Sequence, residues 1–218
     1  MIINWYGQSC FQIVSNQEKN NHVSIVVDPF DENIGLKLPR KLEADILLVT
    51  HEHPDHSNIK KVSGSPFLIT GPGEYEIKGV YIKGLSAYHD DSRGKEKGGT
   101  TIYTIESEEI KLRHLGDLGQ KELTSEQLEE IGDIDILMVP IGGIYTIDSQ
   151  KAINIMAQIE PKITLPMHYK IPGLKIKLDG LDKFLKSLGI KSLQPLPKLS
   201  IKKKDISAEE AKIVVLEP

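Results

Sequence analysis

A chain of 218 residues with 39% hydrophobic content can bury a sizeable core and fits one domain or two small ones, one being the simpler reading. Its net charge of −4 argues against a general nucleic-acid or anionic-membrane binder, and its lone cysteine, Cys10, excludes an intrachain disulfide and a thiolate metal cluster. The start Met1-Ile2-Ile3-Asn4-Trp5 lacks signal-peptide form and no run reaches membrane-spanning length, so a cytoplasmic protein with no membrane partner is expected.

Short β-rich segments open the chain at residues 2–6, 11–15, 23–27, 46–49, 67–70 and 80–85, separated by turns and glycines. Cys10, in Gly7-Gln8-Ser9-Cys10-Phe11, reads as a small buried residue rather than a nucleophile. Residues 101–105 and 110–115 flank a polar Glu106-Ser107-Glu108-Glu109 stretch and predict an antiparallel hairpin. Strands then alternate with helices. Thr124 followed by Gln127 has capping-box form and predicts a helix through residue 130, before a strand at 136–139. Asp148 is the N-cap of a helix whose Ala152, Ile155, Met156 and Ile159 form one apolar stripe, ended before Pro161. A strand at 163–165, a helix near 179–188 stopping at Gly189, and a closing strand at 213–216 complete the pattern. Lys202-Lys203-Lys204 reads as a solvated face. Hairpins followed by alternation suggest two sheets with helices packed outside them.

The apolar strand at 46–49 runs into Thr50-His51-Glu52-His53-Pro54-Asp55-His56. On extended backbone His51 and His53 project to one face, while Pro54 ends the strand and redirects Asp55 and His56. A lone core histidine is ordinarily only hydrogen-bonded. Three histidines and an aspartate within six positions have little structural use without a cation.

This segment resembles the HxHxDH signature of the metallo-β-lactamase fold superfamily. Asp28 in Val26-Val27-Asp28-Pro29, the segment Gly71-Pro72-Gly73-Glu74, His89, His114-Leu115-Gly116-Asp117-Leu118-Gly119 and Pro166-Met167-His168-Tyr169 follow in the order that superfamily uses. The chain is most similar to the L-ascorbate-6-phosphate lactonase-like metal-dependent hydrolases. The resemblance implies an α+β, four-layer αβ/βα sandwich with metals along one edge between the sheets. It places His51, His53 and His89 on one metal, Asp55, His56 and His168 on a second, and Asp117 between them. His114 is the alternative to His89, but it shares a strand face with Ile110 and Leu112 and better suits a buried histidine behind the ligands. Asp28 is either a strand-ending turn residue or, as the resemblance implies, an acceptor for a ligand histidine. Tyr145 and Tyr169 either face the site or pack.

The implied activity is hydrolysis of a small ester, lactone or phosphorylated metabolite by a metal-activated hydroxide. Asp55 would orient the nucleophile and take its proton, with His114 assisting catalysis from behind the ligands. The glycine-rich residues 94–99 are expected to form a mobile loop near the pocket mouth. Two divalent ions are the expected cofactors; zinc suits the donor set, and Mn²⁺ and Fe²⁺ also accept imidazole and carboxylate. His53 stands where flavodiiron relatives carry glutamate, which favours hydrolysis over redox chemistry. A phosphodiesterase or nuclease using the same metals is the first alternative, disfavoured by net charge and by the lack of a basic RNA-gripping insertion. A non-catalytic metal-binding protein is the second, disfavoured by retention of every ligand position. The expected partner is a small-molecule substrate rather than nucleic acid, with a homo-oligomer left open.

Overall fold

Alternating apolar residues make strands that each bury one face: β1 (Ile2–Trp5) buries Ile3 and Trp5, and β2 (Phe11–Gln17) buries Phe11, Ile13 and Ser15. The computed structural model describes residues 1–17, 21–207 and 210–218. β3 (Asn21–Val27) and β4 (Leu42–Leu48) end in the continuous runs Ile25-Val26-Val27 and Ile46-Leu47-Leu48, buried on both faces and paired in parallel. β5 (Val62–Ile69), β6 (Gly73–Ile77), β7 (Val80–Tyr88), β8 (Gly99–Ser107) and β9 (Ile110–His114) follow, β8 and β9 forming the expected hairpin.

The capping box at Thr124 is present and starts α1 (Ser125–Ile131), with Gln127 returning its side chain to the Thr124 N–H. After β10 (Ile136–Pro140), Asp148 caps α2 (Ser149–Ile159) by accepting from the Lys151 N–H. Ala152, Ile155 and Ile159 of α2 are buried, with Met156 half-buried at the edge of the stripe. β11 (Ile163–Met167), α3 (Leu181–Ser187), β12 (Leu199–Ser200) and β13 (Lys212–Ile213) complete the described elements.

Among the described residues the strands form two mixed sheets, in the orders β12-β1-β2-β3-β4-β5 and β13-β11-β10-β9-β8-β7-β6. One core cluster draws Trp5, Phe11, Ile46 and Leu48 from the first sheet and Ile82, Ile105, Leu112 and Met138 from the second. This is the α+β sandwich that the sequence implied. No helix among the described residues is long and apolar enough to cross a membrane.

Several boundaries differ from expectation. β4 begins earlier, at Leu42, across an irregularity between Ala44 and Ile46 that breaks its alternation. α3 starts at Leu181 behind Gly180, later than residue 179. The closing strand is shorter than 213–216: only Lys212 and Ile213 pair with β11, and Leu216 makes an isolated bridge to Leu196. Lys203 and Lys204 lie in a short exposed 3-10 turn, Lys203 paired with Asp135.

Two glycines let loops lie directly against the backbone of histidines singled out above. A Cβ on Gly119 would stand 2.2 Å from the His89 carbonyl oxygen, and one on Gly142 would stand 2.1 Å from that of His168. Gly119→Ala is expected to cost about 1–3 kcal/mol of stability, because the obstructing atoms are backbone. Urea unfolding is the check; a change within about 0.5 kcal/mol, typical of an unconstrained surface site, contradicts this packing.

Candidate metal centre

The parallel pairing of β3 with β4, and the relation of β7, β9 and β11 through their neighbours, bring five strand ends to a common edge. From these ends come Asp28, the 51–56 motif, His89, Asp117 and His168. Asp28 is fully buried, with a left-handed backbone (φ 49°). Its carboxylate accepts from the Thr50 N–H (2.8 Å) and Thr50 hydroxyl (2.7 Å) and lies 2.9 Å from His56 Nδ1. It therefore ties both ends of the motif to the end of β3, which is more than a turn residue needs.

Because β4 already ends at Leu48, His51 and His53 meet across a bend, not on extended backbone as expected. Their ring nitrogens still converge, with His51 Nε2 3.0 Å from His53 Nδ1. Three sets of side chains each place one donor atom apiece within 4.8 Å of the others: His51, His53 and His89; His51, His56 and Asp117; Asp55, His56 and His168. Asp117 Oδ2 lies 3.3 Å from His56 Nε2, 3.3 Å from His168 Nε2 and 3.5 Å from His89 Nε2, so it reaches from the first set to the third.

His114 lies outside these sets. It is fully buried, its Nε2 is 2.9 Å from the Ser9 carbonyl, and its Nδ1 accepts from the Gly116 N–H. With both nitrogens on backbone it holds the Gly7–Cys10 turn against the loop carrying Asp117. That turn contributes residues that sequence reasoning passed over. Gln8 Nε2 donates to Asp55 Oδ2 at 3.0 Å and lies 3.2 Å from His168 Nε2, and the Ser9 hydroxyl is 3.4 Å from Asp117 Oδ1. The only local signal was a pair of polar residues in a tight turn between apolar strands.

Burial, with the nearby His56 charge adding to it, pushes His51 down to about 3, and burial also lowers His89 and His114. His56 goes the other way: burial opposes its charge, but Asp117 and Asp28 outweigh burial and raise it well above the usual range. Burial likewise opposes ionisation of Asp55 and Asp117. His56 overcomes it at Asp55, and His168 with His56 at Asp117, so both carboxyls are held below their usual range. His56 Nδ1 is taken up by Asp28, while Nε2 is buried without a hydrogen-bond partner, 3.5 Å from Asp55 and 3.3 Å from Asp117. A buried imidazole nitrogen facing two carboxylates is a seat that a divalent cation satisfies. The donor set fits metal.

Above these groups lies a cavity of about 400 Å³, lined by His53, Pro54, Asp55, His89, Lys97, Asp117, Tyr145 and Ile176, a size that suits a small molecule. Tyr145 is 44% exposed on its wall, whereas Tyr169 is buried with its ring 5.0 Å from Trp5, and so packs. The loop over residues 90–98 does reach the mouth, but it is tied rather than loose: the Asp90 carboxylate accepts from the N–H groups of Ser92, Gly94, Glu96 and Lys97. Cys10 packs with Val26, Phe30 and Leu47, its thiol pushed up by burial.

A family profile described as a beta-lactamase superfamily domain matches residues 2–168. UPF0173 metal-dependent hydrolases from Thermoplasma acidophilum and Thermoplasma volcanium are 30% and 33% identical to the chain, covering 76% and 81% of it and 81% and 86% of their own lengths. The crystal structure of a proposed Zn-dependent hydrolase of the metallo-β-lactamase superfamily from Thermotoga maritima matches with a TM-score of 0.78 at 36% identity, covering 99% of this chain and 98% of that one. The metallo hydrolase Igni18 from Ignicoccus hospitalis shares the fold, with a TM-score of 0.64 at 20% identity over 92% of this chain and 99% of its own. The chain belongs to the metallo-β-lactamase superfamily and, within it, to the UPF0173 metal-dependent hydrolases.

Proposed function

We propose that residues 1–218 form a single-domain binuclear hydrolase of a small ester, lactone or phosphorylated metabolite, the lactone reading drawing on the resemblance to lactonase-like members. The observation that carries it is the convergence of two three-residue sets, His51/His53/His89 and Asp55/His56/His168, with Asp117 within reach of both. Two divalent ions held there, with zinc suiting the donors and Mn²⁺ or Fe²⁺ also accepted, would supply electrophilic activation and bring the ionisation of water down towards neutral pH. Both carboxylates line the cavity, but Asp55 is 21% exposed against 3% for Asp117, so Asp55 is the one better placed to accept a proton there. Gln8 fixes its orientation through the 3.0 Å hydrogen bond to Oδ2. Asp28 and Thr50 hold the motif, and His114 holds the Ser9 and Gly116 backbones beneath it.

The test is a screen of lactone, thioester and phosphodiester substrates with the Zn²⁺- or Mn²⁺-reconstituted protein. Turnover of an ester or lactone, abolished by chelation and restored by metal, is expected; turnover indifferent to chelation contradicts the reading. Asp28→Asn gives a finer check. The amide cannot serve all three donors that now converge on Asp28, so metal affinity should fall about 10–100-fold, as for other groups behind metal ligands. Competition with a chelating dye measures this, and an unchanged affinity contradicts the role given to Asp28.

A further inference from the structure

The cavity wall holds one charged group outside the donor sets, Lys97. Its backbone is fixed, since Asp90 accepts from its N–H at 2.8 Å and the loop starts at His89 itself, whose N–H bonds to the Gly98 carbonyl. Its ammonium is fixed as well: Nζ donates to the carbonyls of Tyr145 (2.7 Å) and Ile144 (3.3 Å) and lies 5.6 Å from the Tyr145 ring centroid. An ammonium has three N–H donors, so one remains, and neutral carbonyls leave its charge uncompensated. Lys61, Lys78, Lys121, Lys183 and Lys203 each face a carboxylate, whereas among the described residues Lys97 has none within ion-pairing distance. Pro54, Tyr145 and Ile176 make the remaining wall apolar, which strengthens any charge pairing there. Outside the mouth, the adjoining groove shares those three residues and adds the exposed Lys175 and Lys177 beside Asp31.

We propose that Lys97 is an anion seat on the wall of this pocket, so that the hydrolysed ester or lactone carries a second, negatively charged oxyanion group, a carboxylate or a phosphate. This rests on the hydrolase reading above. The bond chemistry is unaltered, an ester and water giving an acid and an alcohol. The seat takes no part in bond making and selects the substrate by pairing its charge. Lys175 and Lys177 draw such anions towards the mouth.

The experiment compares kcat/KM of the Zn²⁺-reconstituted enzyme on 4-nitrophenyl butyrate, which is neutral, and mono(4-nitrophenyl) succinate, which is anionic and has the same leaving group. The wild type should favour the succinate ester. Lys97→Met should cut the anionic-to-neutral ratio about 10–100-fold, mainly through KM, the range that loss of a charge-assisted hydrogen bond gives, and Lys97→Arg should keep most of the preference. If Lys97→Met lowers both substrates equally and leaves the ratio unchanged, Lys97 only tethers residues 144–145 and the proposal falls. If neither ester is turned over, calorimetric titration with inorganic phosphate and with succinate decides independently of turnover. Binding weakened by Lys97→Met supports the seat, the tighter of the two anions naming its group, and binding indifferent to the substitution overturns it.

Discussion

Asp117→Asn is expected to keep a cooperative melt while losing one metal ion and at least about 100-fold in turnover, beyond the loss typical of groups behind the ligands. Asp117 is buried, and its Oδ2 stands within 3.5 Å of histidines from both proposed metal sets. A carboxylate there offsets the repulsion between two adjacent dications. The amide is nearly isosteric but brings no charge and turns N–H donors towards imidazole nitrogens that need an acceptor or a cation. A Cβ on Gly116 would stand 2.6 Å from Thr100 Oγ1 and 3.0 Å from Thr50 Cβ, so this glycine lets the loop carrying Asp117 lie against those two residues. If Asp117 merely shaped the turn before Leu118-Gly119, asparagine would serve as well. Two bound ions and full activity in Asp117→Asn would show that it does.

His89→Ala and His114→Ala should part company just as sharply. His89 belongs to the set with His51 and His53, and its loss leaves that ion two imidazoles and only a share of the Asp117 carboxylate, an incomplete tetrahedral site. Metal content should fall by about one ion per chain, with turnover nearly abolished. His114 bonds only to the Ser9 and Gly116 backbones, so its loss leaves two buried groups unpaired at a cost of about 1–3 kcal/mol each. His114→Ala should therefore melt earlier yet keep its metals, with activity lowered about 10–100-fold. Metal analysis and urea unfolding on the two variants check this, and the reverse pattern would move His114 into the ligand set.

What could be read from the sequence was what local chemistry dictates. The caps at Thr124 and Asp148 act over three residues, and the continuous run at Ile46-Leu47-Leu48 marks a strand buried on both faces, so these elements were legible. β5 was legible only in its second half, at 67–70, and β6 was not. Both are edge strands of their sheets, and in β5 Phe67 and Leu68 are 51% and 42% exposed on neighbouring positions, so no alternation marks the whole strand. The donor residues were legible because they cluster behind an apolar strand or follow the order of a resembled family. Gln8 was not, because its contact with His168 spans 160 positions and nothing near it in sequence marks it. The structure also separates alternatives that the residues alone left open: Asp28 accepts from the motif, Tyr169 packs on Trp5, and Tyr145 stands on the cavity wall.

The most direct measurement is elemental analysis of the purified protein after reconstitution with excess zinc or manganese and desalting. His51, His53, Asp55, His56, His89, Asp117 and His168 together exceed the needs of one tetrahedral ion. The account expects close to two ions per chain, and an occupancy that never rises above trace would contradict it.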